Sequence, residues 1–284
     1  MIQNPNFKNI NQKDIPQNII KYSQKDDDTW NYLCRTQLEN LQNLAHPNIL
    51  KYLEEFSLPK QNVPQLGEFS DKLHKKTGWK ISRVEDLIDS YSFFHLLANK
   101  IFPSTVYIRT DQNIFLSKDP DIFHELFGHC PILLDINNAK IFEKFGLMGL
   151  QLDKDQRQFL QRLFWFTFET GLINTVCGLK IYGGSLVSSI KESSYSLRND
   201  NVVRKPFDIV QIFRTPYRAD ILQGIDYVID DFSQLYTMLD NIDLIKERID
   251  MAYSLGEFSP YFPVEKEYEK YMNYNLCKST NDFS

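Results

Sequence analysis

The sequence predicts a mainly α-helical fold with small antiparallel β pieces, an α+β class. Three observations carry that reading: long stretches place apolar residues at helical spacing, the alternating or β-branched runs are short, and there is no internal repeat or long heptad run. From Trp30 the apolar positions Leu33, Cys34, Leu38 and Leu41 keep a helical period, with Asp28 as the expected cap and His46-Pro47 as the break. A second short helix runs through Ile49, Leu50, Leu53 and Phe56 and ends before Pro59, and a third covers residues 70–76. Residues 79–84 alternate as a strand does, 86–100 are helical and strongly apolar, and 102–109 end in an extended run. Residues 139–149 and 154–177 predict two more helices, and Tyr182-Gly183-Gly184-Ser185 predicts a turn. Short extended pieces follow at 206–214 and 226–230, then a last helix over 232–255. Residues 1–27 read as a polar arm, 28–264 as a single domain and 265–284 as a polar tail.

The stretch richest in chemistry is residues 119–131, Asp-Pro-Asp-Ile-Phe-His-Glu-Leu-Phe-Gly-His-Cys-Pro, which holds two of only five histidines. His124 and His129 stand at i and i+5. On a straight α-helix five residues turn a side chain roughly 140° past its starting face, so two ligands for one metal require a break between them. Gly128 and Pro131 supply one, with Pro120 expected to open the helix and Gly128 to end it in a left-handed conformation. A histidine pair alone fits a satisfied polar role as well as a ligand role. Glu169 adds a third group, inside a segment (158–172) apolar on all sides and beside Trp165, Phe166 and Leu172, which offer a carboxylate no charge partner. A buried anion of that kind takes up a proton or coordinates a cation. Two histidines and one carboxylate leave coordination positions open, as in non-haem ferrous oxygenases, whereas a structural zinc uses four ligands, commonly with cysteine. His46 and His74, among charged or loop-forming residues, read as surface histidines.

Composition narrows the partners. A net charge of −5 with both signs interspersed offers no basic face for nucleic acid, so small molecules are the expected ligands. Cys34, Cys130, Cys177 and Cys277 are widely spaced without a Cys-x-x-Cys pair, which argues against a disulfide framework and a zinc ribbon and suits a reducing compartment. The amino terminus lacks a signal-peptide pattern and no run of 18 apolar residues occurs, so a cytoplasmic protein with no membrane partner is expected.

The run Pro-Asp-Ile-Phe-His-Glu-Leu-Phe-Gly-His, followed by Glu169 in Phe-Trp-Phe-Thr-Phe-Glu-Thr-Gly-Leu, resembles the iron site of the pterin-dependent aromatic amino acid hydroxylases. The similarity begins near Thr77-Gly78-Trp79 and passes through residues 102–109 and 182–189 to Arg214-Thr215-Pro216-Tyr217-Arg218, about two thirds of the chain, and is strongest to the short bacterial phenylalanine hydroxylases. It implies that family's catalytic-domain fold, with Fe(2+) on His124, His129 and Glu169 and tetrahydrobiopterin or a related tetrahydropterin as reductant. The implied reaction converts L-phenylalanine to L-tyrosine with O2, one oxygen atom going to the ring and one to the pterin. Tyrosine or tryptophan as substrate stays open, because a few pocket contacts decide it. A zinc hydrolase is a more distant reading, since His-Glu-x-x-x-His has one residue too many for the peptidase register.

By resemblance, Leu87, Ile88, Phe93, Phe164 and Glu125 contact the pterin, with Glu125 also near the iron-bound water. Arg109, Ser117, Pro120, Trp165, Gly183 and Ser188 contact the amino acid, Arg109 by its carboxylate. From the sequence alone Arg109 reads equally as an ordinary surface arginine, the Gly-Gly pair as a simple turn and the aromatics as core packing. Pro103 stands where animal members place a histidine beside the pterin. Those members also carry a regulatory domain and an oligomerisation helix for which 284 residues leave no room, so a monomer is expected.

Overall fold

The fold was obtained as a computed structural model and is described for residues 19–85, 88–110, 114–115 and 119–261. The tail at 265–284, most of the polar arm, Leu87 and Ser117 lie outside the described residues.

Helices open the chain: α1 (Gln24–Leu44), α2 (Pro47–Phe56) and α3 (Leu66–Thr77). The start of α1 is set by Ser23 in a reciprocal capping box with Asp26, one turn before the expected Asp28. His46 caps α2, its Nδ1 accepting from Asn48 N, while Gly78 at φ +81° ends α3. Strand β1 (Lys80–Arg83) is joined through α4 (Ser90–Ala98) to β2 (Ile101–Ser104), and the two pair in parallel. Past β2, residues 105–110 belong to no strand.

A π-helical turn, His124–His129, runs directly into a 3-10 turn, Cys130–Leu134, and then into α5 (Ile136–Gln151). The single helix expected over 154–177 is three elements. These are α6 (Lys154–Phe164), a second π turn at Trp165–Glu169 and, after Gly171, strand β3 (Leu172–Thr175), where β-branched residues favour extension. Strand β4 (Gly178–Ile181) follows, then the one-turn helix α7 (Gly184–Ser188) and α8 (Ile190–Arg198). Next come β5 (Val203–Pro206), α9 (Ile209–Phe213), β6 (Ile225–Ile229), α10 (Ser233–Thr237) and α11 (Ile242–Leu255). Residues 206–214 are thus largely helical, because the Asp208 side chain caps Gln211 N. Residues 232–255 are split where Asn241 caps α11.

The second sheet has the order β4-β3-β6-β5, and only β3–β4 is antiparallel, so the small sheets are mostly parallel. One large apolar cluster, from Trp30 to Ala252, forms the core, and Tyr195, Val202 and Leu222 form a second, small one at α8. Cys34, Cys130 and Cys177 are free thiols.

One long-range tie fixes the position of α7. Gln37 on α1 is fully buried, and its Nε2 donates to Val187 O (2.8 Å) and Ser189 O (3.2 Å), carbonyls at the α7–α8 junction. Gln37→Leu leaves both carbonyls buried without that donor. Urea unfolding should show a loss of about 1–3 kcal/mol, and an unchanged midpoint would mean that the junction is held by other contacts.

Candidate metal centre and ligand cavity

The two π turns explain how the ligands converge. In an i→i+5 register, Cys130 N donates to Glu125 O and Thr170 N to Trp165 O (2.9 Å), so residues five apart come to nearly the same face. His124 and His129 therefore meet without a helix break. Gly128 is not left-handed. Its missing side chain serves close approach instead, since a Cβ there would stand 2.5 Å from Gly184 O. The Nε2 atoms of the two imidazoles are 3.0 Å apart, and Glu169 Oε2 lies 3.0 Å from that of His129 and 3.6 Å from that of His124. Two donors about 2.1 Å from one first-row ion and about 90° apart are themselves about 3.0 Å apart. The triad therefore has the spacing of a three-donor face, and among the described residues it is the one group able to hold a metal ion. His46 and His74 take no part in it.

Helix α7 supports all three donors. Ser188 Oγ donates to Gly184 O (2.8 Å), so at its 3.0 Å contact with His124 Nδ1 it accepts; the proton sits on Nδ1 and the Nε2 lone pair faces the triad. Ser185 Oγ donates to Glu169 Oε2 at 2.7 Å. Gly184 packs against the His129 ring, which a Cβ would approach to 2.4 Å. Gly183, expected beside the substrate, lies behind the metal group, where its Cβ would stand 2.3 Å from Glu169 O. Ser185 was not singled out as a site residue in the sequence, and only its place directly after Gly183-Gly184 hinted at one.

Burial sorts the charges. Burial, then the neighbouring His129, holds the His124 imidazole down at about 4. Burial alone would raise Glu169, but His129, His124 and the Ser185 hydroxyl outweigh it and keep the carboxyl at about 2. Burial, with the charges of Glu169 and Asp121 adding to it, pushes Glu125 well above the usual carboxylate range. Arg109 is not a surface arginine: its side chain is 2 % exposed and forks onto Asp121, itself 0 % exposed, at 2.7 and 2.9 Å. Asp121 also accepts from Arg109 N and His124 N, and against the effect of its burial the Arg109 charge and these bonds hold its pKa below the usual carboxylate value. The third guanidinium nitrogen, Nη1, stands 3.5 Å from Ser188 O.

A cavity of about 280 Å³ opens over the triad. His124 and Glu169 line it, as do the expected pterin contacts Ile88, Phe93, Phe164 and Glu125 and the expected substrate contacts Arg109, Pro120, Trp165 and Ser188. Phe93 and Phe164 meet edge to face at 5.3 Å, and Trp165 stacks on Tyr217 at 4.6 Å. The Trp165 Nε1 is buried on this wall with no hydrogen-bond partner among the described residues. His129 and Gly183 are not among the lining residues, whereas Ser185 and Glu192, neither expected, are. Leu87 and Ser117 cannot be placed, as both lie outside the described residues.

Comparison with known proteins decides the family. The sequence pattern of the biopterin-dependent aromatic amino acid hydroxylases matches residues 3–262. The chain belongs to that family. It is 39% identical over 247 residues to the phenylalanine-4-hydroxylase of Pseudomonas aeruginosa, covering 86% of this chain and 92% of that one. Among solved structures it resembles the cold-active phenylalanine hydroxylase of Colwellia psychrerythraea, at 41% identity and a TM-score of 0.83 over 87% of this chain and 95% of that one. The Chromobacterium violaceum phenylalanine hydroxylase with bound oxidised Fe(III) matches at 34% identity and a TM-score of 0.82, over 88% and 90% of the two chains. These relatives confirm the helix-rich fold with small sheets. No helix of the described residues is long and apolar enough to cross a membrane.

Two outcomes follow from the buried charges. Asp121→Asn strands the Arg109 guanidinium without its counter-ion, and chemical denaturation should register a loss on the order of 3–5 kcal/mol; a loss near zero would show that Arg109 finds another anion. Burial raises the pKa of Glu192 to about 8 and that of Asp226 to about 7, from 4.5 and 3.8. Both bind protons more tightly when folded, so their contribution is full below the unfolded values and is lost as pH rises through 7 to 8. The double variant Glu192→Gln, Asp226→Asn should flatten the stability profile between pH 5 and 8, and an unaltered profile would refute that origin.

Proposed function

We propose that this chain is a phenylalanine 4-monooxygenase, forming L-tyrosine from L-phenylalanine and O2 with ferrous iron and a tetrahydropterin. The observation that carries the reading is the three-donor face of His124, His129 and Glu169 opening onto a cavity that also holds a buried arginine fork and an aromatic wall. The triad's donor spacing and the tautomer set by Ser188 suit a divalent ion. The Phe93–Phe164 wall and the carboxyl of Glu125, which burial favours in its neutral form, suit a flat heterocycle with both donors and acceptors. When bound, iron and the reduced pterin together supply the electrons that activate O2, one oxygen atom entering the aromatic ring and the other remaining on the pterin.

The protein's share is binding, orientation and exclusion of water. His124, His129 and Glu169 would hold the ion and leave its opposite side free. Arg109, immobilised by Asp121, offers its Nη1 edge to the substrate carboxylate close to Ser188. Pro120 and Trp165 wall the space for the aromatic ring, and Ile88 and Phe93 wall the space for the pterin. Residues 28–264 would then form one catalytic domain.

The deciding experiment is product analysis with Fe(2+), a tetrahydropterin, O2 and phenylalanine, tyrosine or tryptophan in turn. Tyrosine from phenylalanine is expected, and pterin-dependent hydroxylation of only one of the other two would replace the substrate assignment. His124→Ala, His129→Ala or Glu169→Gln should abolish turnover while near-UV circular dichroism stays native. Arg109→Lys replaces a planar fork with a point charge and should raise KM for phenylalanine about 10- to 100-fold with iron content unchanged. An unchanged KM would remove the carboxylate role.

A further inference from the structure

Glu169 has two carboxylate oxygens, and only one of them does the work visible in the structure. Oε2 faces both imidazoles, at 3.0 and 3.6 Å, and the same atom receives the Ser185 hydroxyl at 2.7 Å. The terminal torsion of a glutamate is broad and soft, so a carboxylate with no lateral contact swings easily and can offer either oxygen, or both, to an ion. Ser185 is 8 % exposed and lines the cavity, and it sits in the first turn of the short helix that also orients His124 through Ser188. Its single proton is directed at Oε2.

We propose that Ser185 is a positioning residue for the metal group, fixing the Glu169 carboxylate so that Oε2 alone is presented beside the two imidazoles. This inference rests on the metal-site reading above. Its chemical consequence is that the carboxylate takes one coordination position and not two, which leaves one more for exogenous ligands. The bond also holds the carboxylate in its ligating orientation before an ion arrives, and this pre-organisation strengthens binding.

Cobalt(II) serves as the probe, since its visible absorption reports coordination number and does not depend on turnover. Wild type, Ser185→Ala and the near-isosteric pair Ser185→Thr and Ser185→Val are titrated with Co(2+), with circular dichroism of the metal-free proteins as the check on folding. Ser185→Ala is expected to bind Co(2+) about 10- to 100-fold more weakly with altered visible bands. Thr should restore the wild-type spectrum and Val should not, so the hydroxyl is isolated at equal volume even if the alanine variant folds poorly. Wild-type affinity and an identical spectrum in the Ala and Val variants would overturn the role of Ser185 and leave the metal site standing. Failure of the wild type to bind Co(2+) would overturn the metal site, and this inference with it.

Discussion

The site depends on a hydrogen-bond register. In an ordinary α-helix the side chains of His124 and His129 would point well apart, and the metal group would not exist. The i→i+5 turn that joins them is a rare arrangement, found mostly as single turns within helices. It persists because its surroundings determine it. Phe123 stacks on Phe127 at 4.6 Å, Trp30 meets Phe123 edge-on at 5.3 Å, and Glu125, Leu126, Phe127, Gly128 and His129 are all buried. A return to α geometry would rotate His129 out of the triad and drive its neighbours into a packed core. The second π turn does the same for Glu169, so both halves of the metal face rest on one kind of distortion.

Asp121 links this face to the arginine fork. Its Oδ1 accepts from Arg109 Nη2 at 2.7 Å and from His124 N at 2.9 Å, while Oδ2 accepts from Arg109 N and Nε. One buried carboxylate thus caps the start of the ligand turn and fixes the guanidinium 3.5 Å from Ser188 O. Ser188 in turn holds the ring of His124. Arg109 and the segment that carries the first histidine are thus bonded to the same carboxylate. The Asp121 and Ser188 contacts tie the guanidinium and the His124 ring together, the kind of linkage that holds two groups at a fixed separation.

Much of this was legible in the sequence, and the omissions have physical reasons. Apolar periodicity located the helices, because a buried stripe leaves a local signature. It did not locate the end of the helix that carries Glu169, since Trp165, Phe166 and Phe168 suit a buried helix or a π turn equally well. Strand direction was misread because pairing is non-local: β5 and β6 are separated by α9, and their parallel register appears in neither strand. The histidine pair and Glu169 stood out by residue type and spacing, whereas the aromatics of the cavity wall were expected only through the family resemblance. The partners of Arg109 and Glu169 were not recognisable, because Asp121 is twelve residues from one and Ser185 sixteen from the other, and no periodicity connects them. Gly128 stood out as a glycine, but its reason is an approach to Gly184 that only the tertiary fold creates.

The buried carboxyls follow one rule. Asp121 and Glu169 are held as anions because each has a guanidinium or imidazole beside it. Glu125 is raised by burial with Glu169 and Asp121 adding to it, and Glu192 and Asp226 are raised because burial outweighs their bonds to Ser189 and Ser196. Glu125 and Glu192 line the same cavity as Glu169, so its wall combines one fixed anion with carboxyls that favour the neutral form. A neutral carboxyl both donates and accepts, and it does not compete with Glu169 for a cation. Burial thus favours a wall whose negative charge sits on the one carboxylate that faces the two imidazoles.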